Sequence, residues 1–374
     1  AVSGSFSAHA VENENFPPLW NANTPVPTIA ELTPLNDVQI HSIKAREPEK
    51  DGYSWLHGVA LVWHKGKLYT SFGHNKGTEN TATEEARGSV SSDGGKSWSE
   101  IVTIDASVDS ELAISHGVLL SEKDQLWSFA GCFYGNRKRI HMRAYLLDED
   151  TNTWTPKGIV AKDGFWPMDE PTRMKDGNWM IGGLKVGGRN PAAVAISHGD
   201  DLLKWDVIEI PRAEEVKVIW GESTVLVDGS HITNISRYGA KNMALISHSN
   251  DYGRTWTLQR ESNLPMITSK PYAGTLSSGE RYLICSTAAD IKGRTPLTIA
   301  ISDPDSPSFS RIYFIRGNTV EEPTVESAKT LQLSYPYAVE HEGKLYIGYS
   351  NDGGRGHNHN SAELAIIPID QLKK

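Results

Sequence analysis

Cysteine is scarce in this 374-residue sequence: two residues, Cys132 and Cys285, which excludes a disulfide framework. Both sit in apolar, strand-like runs, so buried free thiols are expected, with one disulfide between them as the alternative. No apolar run approaches the ~20 residues of a membrane helix, so no membrane partner is expected. Positive charge is not in excess either. The net charge of −9 argues against wrapping a phosphate backbone, since nucleic-acid binders concentrate Lys and Arg. An anionic ligand must therefore meet a local cluster of Arg and not a global field. Walker loop, dinucleotide fingerprint and His-Glu-x-x-His are all missing, which removes nucleotide, nicotinamide and metalloprotease chemistry. No cleavable leader is visible, and the polar opening from Ala1 suits a mature secreted chain or a trimmed one. An extracellular setting is expected.

What the sequence does hold is 33 Gly, 19 Pro and 11 Trp against 38% hydrophobic residues, which rules out disorder, collagen and coiled coil. It also repeats itself. Ser91-Ser92-Asp93-Gly94-Gly95-Lys96-Ser97-Trp98 and Ser249-Asn250-Asp251-Tyr252-Gly253-Arg254-Thr255-Trp256 share the pattern S-x-D-x-G-x-[S/T]-W, the Asp-box. In such a turn the Asp accepts backbone N–H groups, the Gly supplies a permissive dihedral and the Trp plugs the space between sheets. Eroded copies end at Trp154 and Trp205.

Strand–turn–strand pairs recur with the boxes: 58–64 with 67–72, 117–121 with 125–130, 171–174 with 178–182, 223–227 with 231–236, 273–276 with 281–286, and 337–341 with 344–349. The spacing, roughly 50 to 65 residues, suits four short strands per unit, and such units bury their faces by stacking radially. The expected fold is all-β, a propeller of four-stranded antiparallel blades. Six units are counted; a seventh would need strands from residues 1–36, where Pro and Asn dominate. Residues 38–45 are expected to close the ring on the last blade. Residues 1–36 then form an extension packing on the propeller, and 37–374 a single catalytic domain. A β-sandwich is the plainer alternative.

Inner strands of a propeller begin beside the axis, and here those positions are polar and uneven: His57, Ser115-His116, Asp169-Glu170, Glu222, Lys270 with Tyr272, and Tyr335 with Tyr337. One rim is expected to be a site. Over residues 38–370 the chain resembles the sialidase-like superfamily. Glu222-Ser223-Thr224 followed by Arg237 is similar to the stretch with a site Glu and a carboxylate-binding Arg. Arg294-Thr295-Pro296 resembles the stretch with a further such Arg, and Tyr335-Pro336-Tyr337-Ala338 stands in the place of the catalytic Tyr. The opening Arg-Ile-Pro of sialidases is replaced by Leu56-His57-Gly58-Val59. The block from Asp51 to Gly58, with Gly73-His74-Asn75 and Glu79-Asn80-Thr81, resembles propeller enzymes acting on L-rhamnosyl-α-1,4-D-glucuronate, lyases and related rhamnosidases.

That resemblance implies β-elimination at a glucuronate with release of L-rhamnose. Cations neutralise the carboxylate so that C5–H becomes acidic, a base takes the proton and an acid protonates O4. Histidine suits both roles near neutral pH. His57 and His74 are the expected acid–base pair, with Tyr337 as the alternative acid, or the nucleophile of a hydrolase. Arg237 and Arg294 are the expected carboxylate partners; Arg189, Tyr238, Glu222, Asn75, Asn80 and Tyr272 are further candidate contacts. Glu170 with Glu222 would serve as a glycosidase pair, although Glu222 suits holding an arginine in place. An exo-glycosidase is the second reading. A non-catalytic sugar-binding propeller with an aromatic rim (Trp55, Trp166, Trp220, Tyr272) is the third. The partner expected is an oligo- or polysaccharide containing uronic acid, and the chain is expected to act as a monomer. No cofactor is required. His357 and His359 lack further ligands at zinc-like spacing, whereas calcium held by backbone oxygens would leave no trace in a sequence. The sequon Asn234-Ile235-Ser236 permits glycosylation.

Overall fold

The computed structural model describes residues 6–7, 10–11, 15–217 and 220–373. Six four-stranded antiparallel blades form a propeller with almost no helix. Blade 1 runs Trp55–His64, Lys67–Asn75, Glu84–Ser91 and Val102–Asp105, and blade 2 runs Leu112–Glu122, Gln125–Tyr134, Lys138–Asp148 and Thr153–Ala161. In blade 3 the inner strand is split into Phe165–Pro167 and Thr172–Arg173, and both pieces pair with Trp179–Lys185. The inner strands of blades 4, 5 and 6 are Ser223–Asp228, Tyr272–Thr275 and Leu333–His341. The inner and middle strands, such as Trp55–His64 and Gln125–Tyr134, are buried on both faces because each blade is covered by two neighbours, whereas an outer strand such as Thr153–Ala161 is largely exposed.

The ring closes where expected. Gln39–Lys44 pairs antiparallel with Ser361–Pro368, so the last blade is completed by a strand from the front of the chain. No seventh blade forms from the described part of 1–36. Thr33–Pro34 adds to the edge of blade 5, and Trp20 bridges Phe309. Parts of that extension (1–5, 8–9 and 12–14) lie outside the described residues.

Both Asp-boxes fold as the chemistry demands. Asp93 accepts from the Ser97 N–H at 2.9 Å and its hydroxyl at 2.5 Å, and these bonds hold the Asp93 carboxyl far below the usual range. Asp251 takes the Thr255 N–H at 2.8 Å and hydroxyl at 2.7 Å. Trp256 is wholly buried among Met180, Ile196 and Val225, between blades 3 and 4, and donates to Gly253 O at 2.9 Å. Cys132 and Cys285 are buried free thiols. Asn234 is also fully buried, with its amide on Ser223 Oγ at 2.9 Å, so the sequon is closed to glycosylation in the folded chain. Among the described residues no helix is long and apolar enough to cross a membrane.

The two boxes make a stability comparison. Trp256→Ala removes a wholly buried side chain and should cost about 3–5 kcal/mol. The half-buried Trp98 should cost less on truncation. Urea unfolding midpoints at constant m-value check this, and equal losses would contradict the placement of Trp256 between blades.

Candidate functional site

At the mouth where the inner strands begin lies a cavity of about 260 Å³. Two backbone irregularities aim side chains into it. In blade 1 the ladder slips between His57 and Ala60, around Gly58 at φ +70°. A Cβ on Gly58 would sit 2.3 Å from His116 Cγ, so glycine is what lets the His116 ring lie beside His57. In blade 6 the ladder slips between Ser334 and Tyr337, since Pro336 has no N–H to give. Tyr335 takes φ +53°, a conformation unusual for a bulky residue, and its ring enters the cavity against His57, centroids 3.8 Å apart.

Blade 4 presents Glu222 and Arg237 together, from opposite ends of one hairpin whose mouth is closed by Arg237 N–H to Glu222 O at 3.0 Å. Tyr335 Oη donates to Glu222 Oε1 at 2.5 Å and Arg237 Nη1 donates to the same oxygen at 3.0 Å. Glu222 Oε2 is buried with no hydrogen-bond partner. Arg237 Nε reaches Thr268 Oγ1 at 3.0 Å, and Arg294 Nη2 reaches Thr268 O at 3.1 Å. Two guanidinium groups from different blades are thus pinned to one residue. Burial, then the Glu222 carboxylate, pushes the Tyr335 hydroxyl well above its ordinary range.

Opposite stand Glu79 and Asn80, from the loop that follows the second strand of blade 1. Glu79 accepts from Asn358 Nδ2 at 3.1 Å. Crowding by protein raises the Glu79 carboxyl, moderated by the Asn358 hydrogen bond and by Arg137 and Arg294. Trp166, Met168, Leu184 and Trp220 form an apolar wall, and the Arg137 guanidinium lies 4.9 Å over the Trp220 ring.

Burial, then neighbouring His116 and the arginines, drives the His57 imidazole well below its ordinary value, and burial lowers His116 to about 3. The His57 tautomer follows from its contacts. Asn360 Nδ2 donates to Leu56 O at 2.6 Å, which fixes the amide orientation, so the same nitrogen donates to His57 Nδ1 at 3.2 Å. The proton of neutral His57 therefore sits on Nε2.

His57, Asn80, Glu222, Arg237 and Arg294 thus line one cavity. The other expected contacts do not. His74 is stacked on Tyr53 with Nδ1 on Arg87 Nη1 at 3.1 Å, and burial with Arg87 lowers it to about 3. Asn75 spends its amide inside its own loop, on Thr78 O and Thr81 Oγ1. Arg189 is exposed at a turn, and Tyr238 is buried with Ala213, Val216 and Leu245. Tyr337, back in the ladder opposite Gly348, points to the channel interior, 4.9 Å from Tyr272, whose hydroxyl lies 2.6 Å from Glu170. Glu170 therefore does not pair with Glu222. Of the aromatic rim, Trp166 and Trp220 face the cavity, and Trp55 and Tyr272 do not. Among the described residues no group of three His, Cys, Asp or Glu side chains is arranged to hold a metal ion.

Tyr335, His116, Glu79, Arg137 and Asn358 are the polar lining residues absent from the expected contacts, and Met168 and Leu184 the apolar ones. Pro336 was the available signal for Tyr335, because a proline inside a strand breaks the alternation that selects Tyr337. Nothing local marks Arg137, which sits at a hairpin tip.

The six blades, the paired Asp-boxes and a cavity lined by three arginines at the axial mouth define an Asp-box β-propeller. Residues 87–347 match the family model described as BNR repeat-like domain, and the chain belongs to that family. The Hadza microbial sialidase Hz136 superposes with a TM-score of 0.68 at 12% identity, over 89% of this chain and 69% of that one. A protein of unknown function from Dyadobacter fermentans gives 0.65 at 15%, over 89% and 99%. The Trypanosoma rangeli sialidase gives 0.61 at 14%, over 92% and 60%. At these identities the likeness is one of fold. No curated protein sequence matches the chain.

A consequence for titration follows. Because burial lowers both imidazoles, His57 and His116 should stay neutral from pH 8 down to pH 5, as read by nitrogen chemical shifts. A midpoint near the ordinary value of 6.5 for either would contradict the burial described.

Proposed function

We propose that this chain is a carbohydrate-active enzyme, an exo-acting glycoside hydrolase for a sugar bearing a carboxylate. The observation that carries this is the shared oxygen of Glu222, which accepts from both Tyr335 and Arg237 while Arg294 is held alongside through Thr268. A phenol hydrogen-bonded to a carboxylate is an activated nucleophile, a device used by tyrosine-dependent glycosidases. Glu222 takes the phenolic proton as Tyr335 Oη bonds to the anomeric carbon, and Glu79 gives its proton to the departing glycosidic oxygen. Water then displaces Tyr335, with Glu79 receiving the water proton and Glu222 returning its own. The Arg237 and Arg294 guanidiniums hold the substrate carboxylate. His57 stands where sialidases carry their first arginine, which favours a uronate over a sialic acid. An extracellular glycan, met by a secreted monomer, is the partner that goes with this reading.

One arrangement favours elimination as a second reading. The two neutral imidazoles flank Tyr335, with His116 at 5.7 Å between ring centroids. In a lyase of the L-rhamnosyl-glucuronate type the arginines would acidify C5–H, neutral His116 would take that proton and Tyr335 would give its own to the departing O4. The pair His57 and His74 is not available for it, since His74 lies outside the cavity.

Products separate the two. Hydrolysis raises reducing ends with no new ultraviolet band, whereas elimination gives the absorbance of a conjugated unsaturated uronate. On either route Tyr335→Phe should lower kcat by about 10³-fold or more with folding intact; loss of less than tenfold would remove Tyr335 from the chemistry. Arg237→Met should impair uronate substrates far more than neutral ones, and equal losses would sink the carboxylate assignment.

A further inference from the structure

Beside the cavity, the loop 76–83 carries Glu79 and Asn80; the Asn75 side chain ties its two ends, through Gly77 N, Thr78 O, Thr81 Oγ1 and Thr83 Oγ1, and one carboxyl group ties its middle at Asn80. Glu84 opens the third strand of blade 1, opposite Asn75, and is 2% exposed. Its Oε1 accepts the Asn80 N–H at 2.6 Å. Its Oε2 is buried without a partner, and so is Ser115 Oγ on the inner strand of blade 2, although Ser115 is the side-chain hydroxyl that bears on this carboxyl. Two buried orphan atoms side by side are costly in a native protein. A hydrogen bond between Oε2 and Ser115 Oγ satisfies both whichever atom donates; the 2% exposure of Glu84 is what favours a proton on Oε2, which then donates to Ser115 Oγ. Among the described residues Glu84 makes no ion pair: the charged group that bears on it is Glu79, of like sign, and Asn75 on the paired strand is neutral.

We propose that Glu84 is a positioning residue whose neutral carboxyl, shared between the Asn80 amide and the Ser115 hydroxyl, holds the loop 76–83 and so presents Glu79 to the substrate. Burial supports the neutral form, raising Glu84 from its ordinary 4.5 to about 8. The assignment of the loop stands by itself; its effect on turnover rests on the reading of Glu79 as the acid.

The sign of the pH dependence follows from linkage. When the loop opens, Glu84 returns to its ordinary value, so the closed loop binds more protons between about pH 4.5 and 8 and loses stability as pH rises through that window. Hydrogen–deuterium exchange of peptide 76–83 in the intact protein, corrected for the intrinsic rate at each pH, reads this directly. Wild-type protection should fall by about tenfold per pH unit from about pH 5 to 8 and level off above. Glu84→Gln has the shape of the neutral acid and should show protection independent of pH. A flat wild-type profile, or equal slopes in both proteins, would overturn the proposal. If exchange behaves as expected but Glu84→Gln keeps the wild-type alkaline limb of kcat/KM, the loop assignment holds and Glu79 is not the acid.

Discussion

Closing six blades into a ring forces every inner strand to start at the same mouth, and a regular ladder then lets alternate side chains face the axis. The site depends on where that regularity is broken. At Gly58 and at Tyr335-Pro336 one residue is thrown out of register, and the side chains that gain the cavity are His57 and Tyr335. The cost is a bulky residue at positive φ, held by its hydroxyl on Glu222 and its ring on His57.

Beneath the cavity a belt of buried polar bonds fixes the blades against one another. Asp169 accepts the Val225 N–H at 2.9 Å, Thr224 Oγ1 accepts the Ala273 N–H at 3.0 Å, and Lys270 Nζ donates to Pro336 O at 2.8 Å. Blades 3, 4, 5 and 6 are joined in turn, and Asn360 on Leu56 O continues the belt to blade 1. Burial shifts these groups toward their neutral forms: burial, then Glu170, lifts Asp169 to about 7, and burial lowers Lys270 to about 8. The cavity above the belt is lined by the guanidinium groups of Arg237, Arg294 and Arg137, where a ligand would meet them.

The architecture was legible because its signals are local and repeated. Two Asp-boxes and six strand–turn–strand pairs lead to six blades, and 38–45 to the closing strand. Glu222 and Arg237, at the ends of one regular hairpin, and Arg294, in the loop before Leu297–Ser302, were singled out by motifs and line one cavity. Tyr337 in place of Tyr335 shows the limit of that reading, since alternation fails across a bulge. His74 shows another: a glycine-bounded position looks exposed, yet blade 1 folds Tyr53 and Arg87 over it. Residues delivered by hairpin tips, such as Arg137, are set by the neighbouring blade and leave no mark in their own stretch of sequence.

The central claim is that guanidinium groups from separate blades grip one sugar carboxylate beside Tyr335. Calorimetric titration of the Tyr335→Phe protein with a disaccharide ending in a uronic acid, and with its carboxyl-reduced counterpart, tests it most directly. The acid should bind at least about tenfold more tightly, roughly 1.4 kcal/mol, and lose that advantage as salt is raised. Equal affinity for the two sugars at low salt would contradict the account.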